Sequence, residues 1–405
     1  MWARAVVLIS LLFTACAAQE TSFITPEREA ILDGILRAAA ESGDVPGVVA
    51  LVTTQDSVLY RRAFGRMGPS GDKPMQTDAM FQIWSMTKPI TSVGIMQLVE
   101  KGALELDVPA SDYLPELKDR EVLVGIDTVA STFATRAASR PITIRDLLRH
   151  TSGFGYAFAS AELGELGRIS GLSPREQPIL HDPGERWTYG MGTAFLGWII
   201  EAVSGEPLPG FLASQVLAPL GMDDTSFELA PADTGRLVAT YRRVGDELRG
   251  EPRPEPYLPT VRGDGGLLST ADDYAHFVQM ILAGGAWRET RVLSEESVAE
   301  MTRDQLDGLV VEKQPGAIPA WSNDFPLGAG QDGFGLGFQI SVGNDPERRP
   351  AGSFSWAGIE NTHFWIDPQN GIGVVLLLQV LPFYDEKAIN LLSSFERALY
   401  TDSDA

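Results

Sequence analysis

Apolar residues recur at Ile31, Ile35, Leu36 and Ala39 behind Pro26 and Glu27, a helical spacing with a helical start that predicts a helix over 26–42. The pattern then tightens into two β-rich runs, Gly47-Val48-Val49-Ala50-Leu51-Val52-Thr53-Thr54 and Val58-Leu59-Tyr60-Arg61-Arg62-Ala63-Phe64. The short Gln55-Asp56-Ser57 between them makes this a hairpin. From about 90 to 255 the spacing becomes helical at 144–148, 194–203 and 211–220, punctuated by Pro and Gly. Strand patterns return at 336–342, 353–358, 362–366 and 372–380, and a helix is expected over 386–400. The turn Asp367-Pro368-Gln369-Asn370-Gly371 is short enough to force antiparallel pairing of its flanks. The Gly-, Pro- and Asp-rich stretch 304–335 reads as a long loop near a site entrance.

Strands at both ends and helices between them predict an α/β (α+β) protein. One subdomain, about 24–90 and 256–400, is assembled from both chain ends around an antiparallel sheet flanked by helices. A mostly helical subdomain, about 91–255, is inserted, and the whole catalytic unit is expected over 19–403. With 44% hydrophobic residues the chain can build a core of that size. No internal repeat is apparent.

Residues 1–18 read as an export signal: Arg4 is the only charge, an apolar run extends from Ala5 to Phe13, and small residues follow. That run is too short to span a bilayer. The mature protein is therefore expected to be periplasmic or secreted. Cys16, the only cysteine, excludes an intramolecular disulfide. Its position resembles a lipoprotein processing site, although Phe13 stands where that pattern usually has Leu. Lipid anchoring at Cys16 and plain cleavage after Ala17 or Ala18 both fit. The net charge of −22 argues against nucleic acid as a partner.

Candidate chemistry centres on Ser85-Met86-Thr87-Lys88, which follows an apolar run and opens a helical pattern. Three residues apart on a helix, the serine and lysine share a face. A serine hydroxyl needs such a neighbour to become a nucleophile, and the first helical turn favours a developing oxyanion. The second such pair, Ser70 and Lys73, sits in a Gly/Pro-rich turn and is discounted. Tyr189 lies between a turn and a helix, placed to project into a cleft. An adjacent lysine cation would lower a phenol's pKa, normally about 10, so a phenolate proton acceptor is expected. In the late strand run, the small residues of Ser355-Trp356-Ala357-Gly358-Ile359 mark a close approach of backbone or ligand.

Taken together these segments resemble the serine β-lactamase/penicillin-binding superfamily, closest to its family VIII esterases and class C β-lactamases. Ser85-x-x-Lys88 matches the first motif, Tyr189 the second, and Trp356-Ala357-Gly358 the third. His150-Thr151-Ser152-Gly153-Phe154, Pro183-Gly184 and the stretch from Gly265 to Tyr274 are also similar. The resemblance implies the β-lactamase/transpeptidase-like fold and an acyl-enzyme on Ser85. It assigns Lys88 and Tyr189 to proton transfer, the backbone N–H groups of Ser85 and Ile359 to an oxyanion hole, and no metal or organic cofactor. Two positions depart from the β-lactamase pattern. Met191 stands where Asn is common, and Trp356 replaces a lysine that would pair with a substrate carboxylate. With Trp356, Ala357, Gly358 and Met191 lining the substrate site, a small-molecule carboxylic ester is the expected substrate. A β-lactam or D-amino-acid peptide is the alternative, a non-catalytic sensor a lower one, and acyl transfer to another acceptor a further outcome of the same intermediate.

No serine lies in Gly-x-Ser-x-Gly, so His150, His181, His276 and His363 are not expected in a Ser-His-Asp triad. His150 is expected to satisfy local backbone groups in a helix-ending turn. No zinc-ligand spacing is present. Oligomeric state has no signature in the sequence.

Overall fold

The computed structural model describes residues 23–69, 73–251, 260–325 and 327–401. The export signal with Cys16, Ser70 of the discounted pair, and the end of the expected helical subdomain (252–255) lie outside the described residues. Helix α1 (Pro26–Glu41) is capped by Thr25, whose side chain accepts the Arg28 N–H, with Pro26 in the first turn. Strand β1 (Gly47–Thr53) is buried at all seven positions. Val49 and Leu51 enter one core cluster, and Val48, Ala50 and Val52 the other. A strand apolar on both faces has to be covered on both, which is why its pattern is continuous rather than alternating. The hairpin partner is β2 (Val58–Gly65).

Helices α2 (Thr87–Glu100), α3 (Gly192–Ser204) and α4 (Ala271–Leu282) follow, then strands β3 (Gly333–Phe334), β4 (Gln339–Ile340), β5 (Phe354–Gly358), β6 (Thr362–Asp367) and β7 (Ile372–Leu377), and finally α5 (Glu386–Tyr400). The strands form one sheet in the order β3-β4-β5-β6-β7-β1-β2, antiparallel at every step. The chain's beginning and end are thus paired directly, Val49 opposite Leu377 and Thr53 opposite Gly373.

On one face, Leu32 and Leu36 of α1 and Leu391, Phe395 and Leu399 of α5 pack on Val48, Ala50, Val374 and Leu376. Phe277 and Val278 of α4 belong to the core of the opposite face. Gly373 admits α4 there: a Cβ at this position would lie 2.0 Å from Val278 Cγ1. Helix α2 is buried from Thr87 to Leu98, so it is a central helix and not an amphipathic one. Among the described residues, no helix is long and apolar enough to cross a membrane.

The middle of the chain holds more strand than its pattern predicts. Glu121–Asp127 pairs with Thr132–Ala137, and Tyr241–Val244 with Glu247–Gly250. The first hairpin is largely solvated, with Val124 and Val129 exposed, so it lacks the buried face that makes a strand readable. The run 211–220 is also not one helix. Leu208–Leu212 gives way to a π turn (Ala213–Leu217) and a 3-10 turn (Ala218–Leu220), where Pro219 has no N–H to give. The expected strand 372–380 ends at Leu377, and Val380–Leu381 joins Tyr241–Val244 instead. Of 336–342 only Gln339–Ile340 is strand; Gly337 has φ +110°, and a Cβ there would lie 2.7 Å from Ser92 Oγ.

Candidate active site

Ser85 sits in a 3-10 turn (Trp84–Met86) that runs straight into α2. Trp84, just before it, has φ +45°, a region most side chains avoid; the chain turns sharply here to offer Ser85. One helical turn on, Lys88 is 1% exposed, and its Nζ donates to Ser85 Oγ at 3.0 Å and to the Asp264 carbonyl at 2.9 Å. From the turn before α3, the Tyr189 hydroxyl donates to Ser85 Oγ at 2.7 Å. Gly190 holds that ring in place: a Cβ at 190 would come 1.9 Å from the Phe154 carbonyl, so only glycine lets these backbones touch.

The facing turn is anchored by Asp146. Fully buried, it accepts from Arg140, Arg149, Thr143 and Thr151 and closes a capping box on the helix Ile144–Leu148. His150, the next turn residue, packs its ring among Trp187, Tyr189, Phe334 and Trp356, with centroid distances of 5.1–6.1 Å. The imidazole is therefore part of an aromatic cage and not a local backbone cap. Burial holds its pKa well below the usual histidine range.

Strand β5 forms the other wall. Phe354, Trp356 and Gly358 are buried, whereas Ser355 and Ala357 are half-buried and line a cleft. Trp356 meets Tyr189 with ring centroids 5.1 Å apart. At Gly358 a Cβ would lie 2.4 Å from the Ile83 carbonyl, so the strand presses directly on the turn that carries Ser85. Ile359 follows and lines the same cleft as Ser85. The cleft measures about 350 Å³; Phe158, Phe325 and Leu327 add apolar surface, the last two from the long loop. Met191 is placed otherwise than expected. It is buried in the main core at the N-cap of α3 and is not among the residues lining the cleft.

The electrostatics reverse one expectation. Burial depresses Lys88 to about 7, with Arg262 acting in the same direction and Asp264 opposing it. Burial also raises Tyr189, against the pull of its Ser85 hydrogen bond. At neutral pH the phenol thus stays protonated, and the lysine is the group near its titration point, because desolvation outweighs the charge pairing assumed from proximity alone. Burial opposes ionisation of Asp264 as well, but Lys88 and Arg262 outweigh it and keep the carboxyl below its ordinary range.

Tyr156, Arg262 and Asp264 are site residues that the sequence reading passed over. The Tyr156 hydroxyl donates to Asp264 Oδ2, Arg262 Nε donates to Asp264 Oδ1 at 2.7 Å, and Lys88 Nζ lies 5.3 Å over the Tyr156 ring. Their signal was adjacency, since Tyr156 lies two residues beyond Phe154 and Asp264 immediately before Gly265.

The Beta-lactamase family profile matches residues 32–394. The chain is 34% identical over 371 residues to Protein Rv1367c of Mycobacterium tuberculosis (strain ATCC 25618 / H37Rv), spanning 86% of this chain and 89% of that one. It is 28% identical over 407 residues to Esterase EstB of Burkholderia gladioli, spanning 90% and 94%. The solved structure of simvastatin synthase (LovD) from Aspergillus terreus superposes with a TM-score of 0.80 at 25% identity, covering 93% of this chain and 98% of that one. The seven-stranded antiparallel sheet with helices on both faces is the β-lactamase/transpeptidase fold, and the chain belongs to the beta-lactamase family.

Proposed function

We propose that this protein is a serine hydrolase that cleaves carboxylic esters through an acyl-enzyme on Ser85. One observation carries the reading: a single hydroxyl at the cleft wall has Lys88 Nζ at 3.0 Å and the Tyr189 hydroxyl at 2.7 Å. Uncharged Lys88 takes the Ser85 proton as Oγ attacks the ester carbonyl. The oxyanion develops toward the N–H groups of Ser85 and Ile359, where each donor is worth roughly 10²–10³ in rate. Tyr189 gives its proton to the departing alcohol, leaving acyl-Ser85, a Lys88 ammonium and a Tyr189 phenolate. That phenolate takes a proton from the incoming water, hydroxide adds to the acyl carbon, and Lys88 returns its proton to Ser85 as the acid leaves. An alcohol in place of water would make the same intermediate an acyltransferase, a second reading favoured by the likeness to simvastatin synthase.

Trp356 at the lysine position of the third motif disfavours β-lactam turnover, because an indole cannot pair with a carboxylate. Activity on p-nitrophenyl butyrate that disappears in Ser85→Ala, beside little turnover of a chromogenic cephalosporin, is the expected result. Efficient cephalosporin hydrolysis would transfer the assignment to a β-lactamase, and stoichiometric labelling without turnover would make it a sensor. Residues 1–18 carry an export-signal pattern, and we place the mature enzyme outside the cytoplasm; the mature N-terminus found by sequencing tests this, and an intact Met1 would contradict it.

A further inference from the structure

The cleft does not end at the catalytic serine. It continues along the face of β5 that looks toward α5, past Ala357 and then Ser355, about 7 Å further along the strand. There it meets side chains that play no part in the proton transfers above: Arg348, Arg349, His363 and Tyr384 all line it. His363 stands opposite Ala357 in the β5–β6 ladder and shares its face of the sheet. His363 is 6% exposed, and its Nε2 has no hydrogen-bond partner. An unpartnered polar atom buried at a cavity wall calls for a ligand that supplies the missing bond.

Two guanidiniums stand beside it, each with N–H groups that Glu396 does not take up. Arg349 donates to Glu396 from Nε at 2.7 Å, and Arg348 reaches the same carboxylate at 3.2 Å, so two guanidiniums share one buried glutamate. Arg348 remains 38% exposed at its side chain. Two other carboxylates line this lobe. Asp332 already accepts from Gln339 Nε2 at 2.7 Å and from the Val342 N–H, and burial raises its pKa. Asp345 lies at the exposed rim and accepts the Glu347 N–H. What remains unused is mainly donors: guanidinium N–H groups, the imidazole and the Tyr384 hydroxyl.

We propose that this far lobe is a carboxylate site, so that the substrate is an ester bearing a free carboxylate on its acyl or its alcohol half, with Arg348 as counter-ion and His363 and Tyr384 as hydrogen-bonding partners. The proposal rests on the acyl-enzyme reading of Ser85. It moves the recognising cation from the third-motif position, where Trp356 stands, to the opposite end of the cleft.

Two pairs of esters test it: mono-p-nitrophenyl glutarate against p-nitrophenyl butyrate, and 4-carboxyphenyl butyrate against phenyl butyrate. In at least one pair the acidic ester should have the higher kcat/KM by about tenfold or more, the scale of a charge-assisted contact. The acidic-to-neutral ratio should fall by a similar factor in Arg348→Gln and be partly restored in Arg348→Lys. Arg349 still pairs with Glu396 in these variants. Ratios near one in both pairs, or a preference that Arg348→Gln leaves intact, would overturn the proposal. If no ester is turned over, the Ser85 reading has failed by itself, and the lobe is judged by calorimetric titration of glutarate. Binding weakened tenfold in Arg348→Gln would support the site, and absence of binding would overturn it.

Discussion

The depressed pKa of Lys88 makes a quantitative claim about rate. An exposed lysine titrating at 10.5 is uncharged in only about 3 molecules in 10⁴ at pH 7. With its pKa held at about 7 by burial, half of the enzyme carries the neutral amine that can accept the Ser85 proton. Desolvation therefore supplies roughly 10³ in the population of the active form. The sign follows directly. The folded pKa is lowered and the proposed base is the deprotonated form, so activity should rise with pH through the titration. Between pH 6 and pH 8 the neutral fraction grows from about one tenth to about nine tenths, so kcat/KM should rise about tenfold. The assay is hydrolysis of p-nitrophenyl butyrate from pH 5.5 to 9 at constant ionic strength, corrected for the uncatalysed reaction. Asp264→Asn sharpens the test. Its carboxylate raises the Lys88 pKa and Arg262 lowers it, so removing that charge should move the rising limb to lower pH. A profile flat from pH 6 to 8, or a limb displaced upward in Asp264→Asn, would refute Lys88 as the base.

Tyr189→Phe keeps the ring and its packing against Trp356 but removes the proton donated at 2.7 Å. Its kcat should fall by roughly 10²–10⁴ with little change in Tm. Gly358→Ala puts a Cβ 2.4 Å from the Ile83 carbonyl, which forces β5 away from the Ser85 turn; turnover should drop by at least about tenfold, since small displacements of reacting groups are costly. Asp146→Ala removes the buried carboxylate that Arg140 and Arg149 share and one of the two capping-box bonds of the helix Ile144–Leu148, leaving the Thr143 cap. Denaturant unfolding should show a loss of about 3 kcal/mol or more.

Local signals were legible wherever burial was consistent along an element. The seven buried residues of β1, the capped and amphipathic α1 and α5, and the strand hairpin closed by the Asp367 turn all declared themselves. The three motif segments were legible for the same reason, each lying on a short, tightly constrained piece of backbone: Trp84 in a left-handed turn, Gly190 against Phe154, Gly358 against Ile83. What the chain conceals depends on contacts between distant segments. The Glu121–Asp127 hairpin is solvated and shows little apolar periodicity. The protonation states of Lys88 and Tyr189 depend on how completely α2 and the aromatic cage exclude water, which no motif records. Met191 illustrates the limit of position matching, because a residue at a motif position can face the core. The far lobe joins Arg348, His363 and Tyr384 from three segments with no common pattern.

The most direct measurement is intact-protein mass spectrometry of enzyme quenched during turnover of p-nitrophenyl butyrate, followed by peptide mapping. A single butyryl adduct on Ser85, absent in Ser85→Ala, is the predicted result. Sustained ester hydrolysis with no adduct on Ser85, or an adduct on another residue, would contradict the account.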